Sequence, residues 1–201
     1  MEFGVMKVTL EQYTPPENLG RFAGICYGRE GNDDKRLAHI ISVGHLSVLR
    51  FGHVVFKVEG ISRVCLAQIT RSKHLDYLVR SSRYCDEGDA EFIRPEGFDK
   101  LDAQAQAAIE NHEQYSKSLY KALREAGMSK QDARFWLPQA QATELYVAGN
   151  YQSFVDFIDL RISKSAQHEV RYIAIEILKI LYEHAPIIFE AQYEKYIRKE
   201  S

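Results

Sequence analysis

The chain is 201 residues long, 45% hydrophobic and 27% charged, a balance that suits one globular domain long enough to bury a core. Its formal net charge of −2 removes any bulk electrostatic case for nucleic acid or for an anionic membrane surface. Three cysteines, Cys26, Cys65 and Cys85, are odd in number and form no C-x-x-C pair, which points to a reducing compartment and away from a metal site. The opening MEFGVMKVTL lacks a basic leader followed by an apolar core, and no apolar run is long enough to span a bilayer, so a cytoplasmic location is expected.

Val8 to Tyr13 alternates weakly and stops at Pro15-Pro16, the pattern of an edge strand running into a turn. Asn18 is placed to cap a short helix through Tyr27, and after the turn-prone stretch 28–34 a second helix, Lys35 to Val43, should end at Gly44. Val54 to Val58 is β-branched and aromatic, hence a strand. Ser62 can cap the helix that follows, where Val64, Cys65, Leu66, Ala67 and Ile69 leave few polar positions and predict a path through the core.

Behind that helix come four cations, Arg71, Lys73, Arg80 and Arg83, with Gln68 and Arg71 spaced to share one helical face. A guanidinium buried there needs an anion or several acceptors, because an unpaired buried charge costs roughly 3–5 kcal/mol. A phosphate or a carbonyl-rich heterocycle meets that need, and so does a protein carboxylate.

Residues 85–100 are polar and loop-like, with a turn at Pro95-Glu96-Gly97. Long amphipathic helices are expected next: Leu101 to Ala126 stops at Gly127, and Ser129-x-x-Asp132 is a capping-box variant that opens another. Pro138 falls inside a helical pattern and should bend it, at a cost of about 3 kcal/mol. Phe154, Phe157, Ile158 and Leu160 build the core face of a further helix, with Arg161 at its end. The last helix, Ser165 to Ile197, sets Val170, Ile173, Ile177, Ile180 and Leu181 on one side and should kink at Pro186. No repeat, low-complexity tract or linker interrupts the chain. The expectation is therefore a single α+β domain over residues 1–201, with a small β-sheet and several long helices.

Three ordered motifs resemble the flavin-dependent thymidylate synthase family, over residues 7 to 190. Arg71-Ser72-Lys73, then seven residues, Ser81 and Arg83-Tyr84 is similar to the family's Arg-His-Arg, seven residues, Ser and Arg-Tyr. Upstream, Gly60-Ile61-Ser62-Arg63 and Gln68 look like its Gly-x-Ser-Arg turn and the Gln placed three before its first Arg, His45-Leu46-Ser47 like its His-x-Ser/Thr, and Ala23-Gly24-Ile25-Cys26-Tyr27 like a segment that usually carries Arg at the position of Gly24. Downstream, Ala133 to Pro138, Asn150 to Arg161 and Ala166 to Arg171 resemble its remaining motifs.

The resemblance implies flavin-dependent transfer of a folate-derived one-carbon unit to carbon 5 of a pyrimidine deoxynucleotide, dUMP to dTMP. It implies FAD as cofactor, 5,10-methylenetetrahydrofolate and NADPH as co-substrates, and a homotetramer with active sites built between subunits. Gln68, Arg71, Ser81, Ser82, Arg83, Arg134 and Arg161 would contact the nucleotide, with Arg161 and Arg71 in catalytic roles. His45, Ser47, Arg71, Ser72, Lys73, Asn150 and Asp156 would contact flavin. No protein nucleophile is required, since cations and hydrogen-bond donors can stabilise charge developing on the pyrimidine carbonyls.

Departures from the family pattern gather at the flavin positions: Ser72 stands for His, Lys73 for Arg, Leu78-Val79 for Asn-Glu, Gln152 for Arg, Asp156 for a neutral polar residue, and Arg50-Phe51 for Glu-His. They keep two other readings open, a pyrimidine nucleotide hydroxymethylase with altered cofactor use and a non-catalytic nucleotide-binding paralogue. A solely structural oligomer is a further, weaker alternative.

Overall fold

The computed structural model describes residues 6–199, so the first five residues used in reading the N-terminus lie outside it. Four strands form one small antiparallel sheet in the order β1-β2-β4-β3: β1 Lys7–Tyr13, β2 His53–Ser62, β3 Asp76–Val79 and β4 Ala142–Asn150. The helices are α1 Pro16–Gly24, α2 Asp33–Ser42, α3 Arg63–Ile69, α4 Ala103–Glu125, α5 Lys130–Ala133, α6 Tyr151–Arg161, α7 His168–His184 and α8 Pro186–Tyr193. The α+β class holds.

The chain gathers into two compact units, and β2 and β4 each begin in one and end in the other. The first contains 59–67 and 79–145. Its long helix α4 is capped by Asp102, which accepts from the Ala105 N–H at 2.8 Å, and it buries Tyr120. The second unit holds 7–58, 68–78 and the chain from Tyr146 onward. Here α1 packs on α2, α6 on α7 and α8, and α7 against β1, while Phe56 of β2 meets Phe154 of α6 edge-on at 5.5 Å and Tyr151 meets Phe189 at 5.9 Å. The Tyr151 hydroxyl donates to Thr14 O at 2.6 Å, satisfying the polar end of a buried ring.

Several local expectations need correction. Asn18 lies inside α1 and accepts from Arg21, since Pro16 supplies a helix-ready φ at the first position and the cap falls at Pro15, three residues earlier. Ser62 does cap α3, accepting from the Cys65 N–H at 3.0 Å, but only Cys65 and Ile69 are fully buried while Val64 is 42% exposed. The Ser129 cap also forms, yet α5 runs only four residues and passes into a 3-10 turn at Arg134–Trp136. Pro138 therefore follows a finished helix and bends nothing. Leu160 is exposed on α6, unlike Phe154, Phe157 and Ile158. The predicted last helix breaks at Ala185, whose φ of −144° and ψ of 55° are non-helical, so Pro186 opens α8 instead of kinking α7.

Strands β3 and β4 are the main elements not anticipated. In β4 the buried residues Thr143, Leu145, Val147 and Gly149 alternate with half-buried or exposed ones, a period of two that was legible in the sequence.

Candidate functional site

The motif residues Gln68 to Lys73 span the end of α3. The helix ends in a tight turn in which the Arg71 N–H donates to Gln68 O at 3.3 Å and the Ser72 N–H to Ile69 O at 3.0 Å. His74 then adopts a left-handed φ of 65°, reversing the chain into β3. Arg71 lies in this turn and not on the face of α3, so its side chain, like that of Lys73, is exposed. The buried guanidinium expected at Arg71 is not there.

A partly buried guanidinium does occupy this region, and it belongs to Arg161. From the last turn of α6 its Nε donates to the Ser72 hydroxyl at 3.2 Å and its Nη2 to Gln68 O at 3.1 Å. Ser72 is only 6% exposed. Thus Gln68, Ser72 and Arg161 come together, but Gln68 does so through its backbone carbonyl. Tyr77 completes the cluster by donating its phenolic proton to Ile69 O at 2.8 Å, with Ser72 O a longer acceptor at 3.3 Å. Burial pushes the Tyr77 hydroxyl up to about 12, opposed by its hydrogen bond with Ser72 and by the nearby positive charge of Arg161.

In the first unit, Arg134 sits at the end of α5 and donates from Nη1 to the Ser82 hydroxyl at 3.2 Å and from Nε to Gln131 O at 3.1 Å. Ser82 is buried, while the Ser81 hydroxyl accepts from the Arg83 N–H at 3.3 Å. Arg83 is exposed, with its guanidinium 5.7 Å from the centre of the Tyr84 ring. Charges crowd around Arg134. Arg63 is held below the usual arginine range first by burial and then by Arg134 and Arg80, while Glu87 acts in the opposite sense. Glu87 is 4% exposed and lies at ion-pair distance, 3.5 Å, from Arg80 Nε. Its Oε1, like Arg63 Nη2, is buried without a hydrogen-bond partner among the described residues. Arg80 and Arg63 therefore both bear on the buried Glu87 carboxylate, with Arg134 close enough to act on Arg63, although Arg80 also lies 3.7 Å from Glu144.

His45 and Ser47 line a cleft of about 970 Å³ in the second unit, together with Phe22, Ile25, Tyr27 and Phe51. Largely apolar walls with a few polar groups, the His45 imidazole, the Ser47 and Tyr27 hydroxyls and the Arg21 guanidinium, fit a flat conjugated ring system such as a flavin. Beneath them, Gly24 is enforced by packing, since a Cβ there would stand 2.7 Å from Arg29 O and 3.2 Å from Arg36 Nη1. Arg36 fills that space, donating to Gly20 O, Arg29 O, Gly31 O and Asp33.

The other expected flavin contacts are not in this cleft lining. Asn150 caps α6, its Oδ1 accepting from the Ser153 N–H at 2.9 Å and the Ser153 hydroxyl at 3.0 Å. Asp156 accepts from Gln152 Nε2 at 2.9 Å. Tyr77 and Glu87 are the functional candidates that motif reading missed. Tyr77 belongs to a strand too short for its alternation to register, and Glu87 lies in a polar loop where nothing local marks burial. No group of three metal-ligating side chains occurs among the described residues, no helix among them is long and apolar enough to cross a membrane, and the three cysteines are free.

These features define an α+β protein with one serine-anchored arginine in each unit and, in the second unit, an apolar cleft suited to a flat ring. The family model described as thymidylate synthase complementing protein matches residues 9–187. A flavin-dependent thymidylate synthase from Geobacter sulfurreducens is 34% identical over 204 residues, covering 92% of this chain and 85% of that protein. One from Mycolicibacterium vanbaalenii is 34% identical over 85% of this chain and 77% of its own length, and one from Mycobacterium tuberculosis is 37% identical over 76% and 67%. The chain belongs to the flavin-dependent thymidylate synthase family.

Proposed function

We propose that the protein is a one-carbon transferase that converts dUMP to dTMP, with FAD as cofactor and 5,10-methylenetetrahydrofolate and NADPH as co-substrates. The observation that carries this is the partly buried Arg161 guanidinium, held by two neutral acceptors at the end of α6. Arg161 polarises the pyrimidine, stabilising negative charge as it develops on a ring carbonyl. Arg134, Arg83 and the Ser81-Ser82 segment take the phosphate, for which charge-assisted hydrogen bonds are the strong kind. Arg71 and Lys73, exposed at the turn, supply further cations to nucleotide or cofactor.

Bound flavin supplies the reducing equivalents of the reaction. His45 and Ser47 would hold it against the apolar walls of their cleft, while Ser72, Asn150 and Asp156 bear on it through the elements they brace. We place the enzyme in the cytoplasm as a homotetramer, with residues 1–201 acting as one catalytic domain. Three free cysteines support a reducing compartment, and the large exposed side chains of Ile25 and Phe51 support association.

A visible absorption spectrum of the purified protein, followed by FAD titration with and without dUMP, tests this first. A flavin spectrum that dUMP perturbs, together with tritium release from carbon 5 in the presence of methylenetetrahydrofolate, is expected. Binding of dUMP with no flavin binding would remove the flavin-dependent route and favour a nucleotide-binding paralogue. The hydroxymethylase alternative is favoured by Ser72, whose hydroxyl is turned to Arg161 where the family pattern has an imidazole. Product mass separates a methyl from a hydroxymethyl group.

A further inference from the structure

An arginine that stabilises charge developing on a substrate carbonyl must already be oriented when that charge appears, or reorganisation consumes the benefit. Arg161 has a long side chain and stands at a helix end, where little of the helix itself restrains it. Its orientation comes from two neutral acceptors, the Ser72 hydroxyl on Nε and the Gln68 carbonyl on Nη2. A carboxylate in either place would hold the guanidinium more strongly but cancel much of its field. A hydroxyl and a carbonyl fix direction and leave the charge intact. Because Ser72 is 6% exposed, water competes poorly for the bond.

Ser72 is itself held in place. Its N–H donates to Ile69 O at 3.0 Å, closing the turn after α3, and from β3 the Tyr77 hydroxyl reaches the same carbonyl at 2.8 Å. The left-handed His74 lies between these anchors, a conformation that a residue with a Cβ keeps only when its surroundings impose it. A phenol is already a protonated donor throughout the neutral range, and burial moves the Tyr77 hydroxyl further from losing its proton. The clamp runs from Tyr77 to the turn, from the turn to Ser72, and from Ser72 to Arg161.

We propose that Ser72 and Tyr77 are positioning residues that orient the Arg161 guanidinium, an inference that rests on Arg161 facing the pyrimidine. The test measures dUMP turnover, and dUMP binding by calorimetry, for Ser72→Ala, Ser72→Thr, Tyr77→Phe, Arg161→Lys and the pair Ser72→Ala/Arg161→Lys, with a thermal melt of each.

Ser72→Ala is expected to lower kcat about tenfold with a much smaller change in KM, the scale of one hydrogen bond to a charged group. Ser72→Thr keeps a hydroxyl and restores most of the loss. In the pair, Ser72→Ala adds nothing to Arg161→Lys, because lysine has no Nε for the hydroxyl to hold. Tyr77→Phe removes one oxygen and lowers kcat about threefold, since it acts through the turn.

A Ser72→Ala protein that melts earlier but keeps its kcat and KM overturns the proposal, as does a tenfold loss that persists undiminished in the Arg161→Lys background. If Arg161→Lys leaves both binding and turnover unchanged, the assignment of Arg161 to the pyrimidine falls and the positioning role with it. If Arg161→Lys is impaired and Ser72→Ala is not, only the positioning role falls.

Discussion

Arg161 and Arg134 are anchored alike and surrounded differently. Each gives one guanidinium nitrogen to a buried serine hydroxyl and a second to a backbone carbonyl. Around Arg161 the hydrogen-bonding groups are neutral, including a phenol held in its protonated form. Around Arg134 stand two further cations, Arg63 and Arg80, with the buried carboxylate of Glu87 among them. A charge whose hydrogen-bond partners are neutral suits a carbonyl oxygen that becomes more negative along a reaction. A crowd of cations sharing carboxylates suits a multiply charged group such as a phosphate, whose arrival relieves their mutual repulsion.

The sharpest break in this comparison comes from charge-preserving substitution. Arg161→Lys should cut kcat/KM for dUMP about a hundredfold, mostly through kcat, because an ammonium loses both the planar fork and the Nε bond. Steady-state kinetics over a range of dUMP decide it, and a change confined to KM would place Arg161 on the phosphate instead. Arg134→Ala should act the other way, raising KM about tenfold or more with a smaller effect on kcat. Competition by inorganic phosphate, weakened in the same variant, would tie that loss to the anion.

Glu87→Gln removes the buried counter-ion and leaves Arg63 and Arg80 facing one another. Loss of a buried pair costs roughly 3–5 kcal/mol, but Arg80 is 37% exposed and solvent screens it, so about 1–2 kcal/mol is expected here. That corresponds to a fall in Tm of several degrees for a chain of this size, read by calorimetry. Added phosphate or dUMP should restore part of it.

The last expected effect, felt only at high pH, is a pH dependence of stability. An unfolded tyrosine titrates near 10 and Tyr77 is pushed up to about 12 in the folded protein. The unfolded state thus loses its proton first as pH rises. Tyr77 contributes stability that is whole below about pH 10 and is lost through pH 12, amounting to about 2 kcal/mol. Denaturant melts across this window should be flatter for Tyr77→Phe. An unchanged slope would mean that the phenol is not clamped as described.

Much of the candidate site was legible because it is local in sequence. The Ser62 cap on α3, the Ser129 cap on α5 and the succession of motif cations follow from side chains acting within a few residues, and all of them occur. Reading failed where a local pattern competed with long-range contact. Arg71 has the spacing of a buried helical cation, but α3 ends at Ile69 and the chain closes there in a turn on Ser72. Pro186 read as a kink because the apolar stripe continues across it, yet Ala185 leaves helical space and two helices result. Strand β4 was hidden between two helical motifs, although its alternation of buried and open positions is regular.

The sequence alone determined the α+β class, the family and the list of arginines and serines available for an anion, since these depend on residue identity, order and short-range capping. Only the tertiary structure decided that Arg161 meets Ser72 across 89 positions of chain and Arg134 meets Ser82 across 52. The reason is physical: a guanidinium of fixed charge carries no mark of its partner, and whether it meets a hydroxyl, a carboxylate or water is set by how distant segments pack.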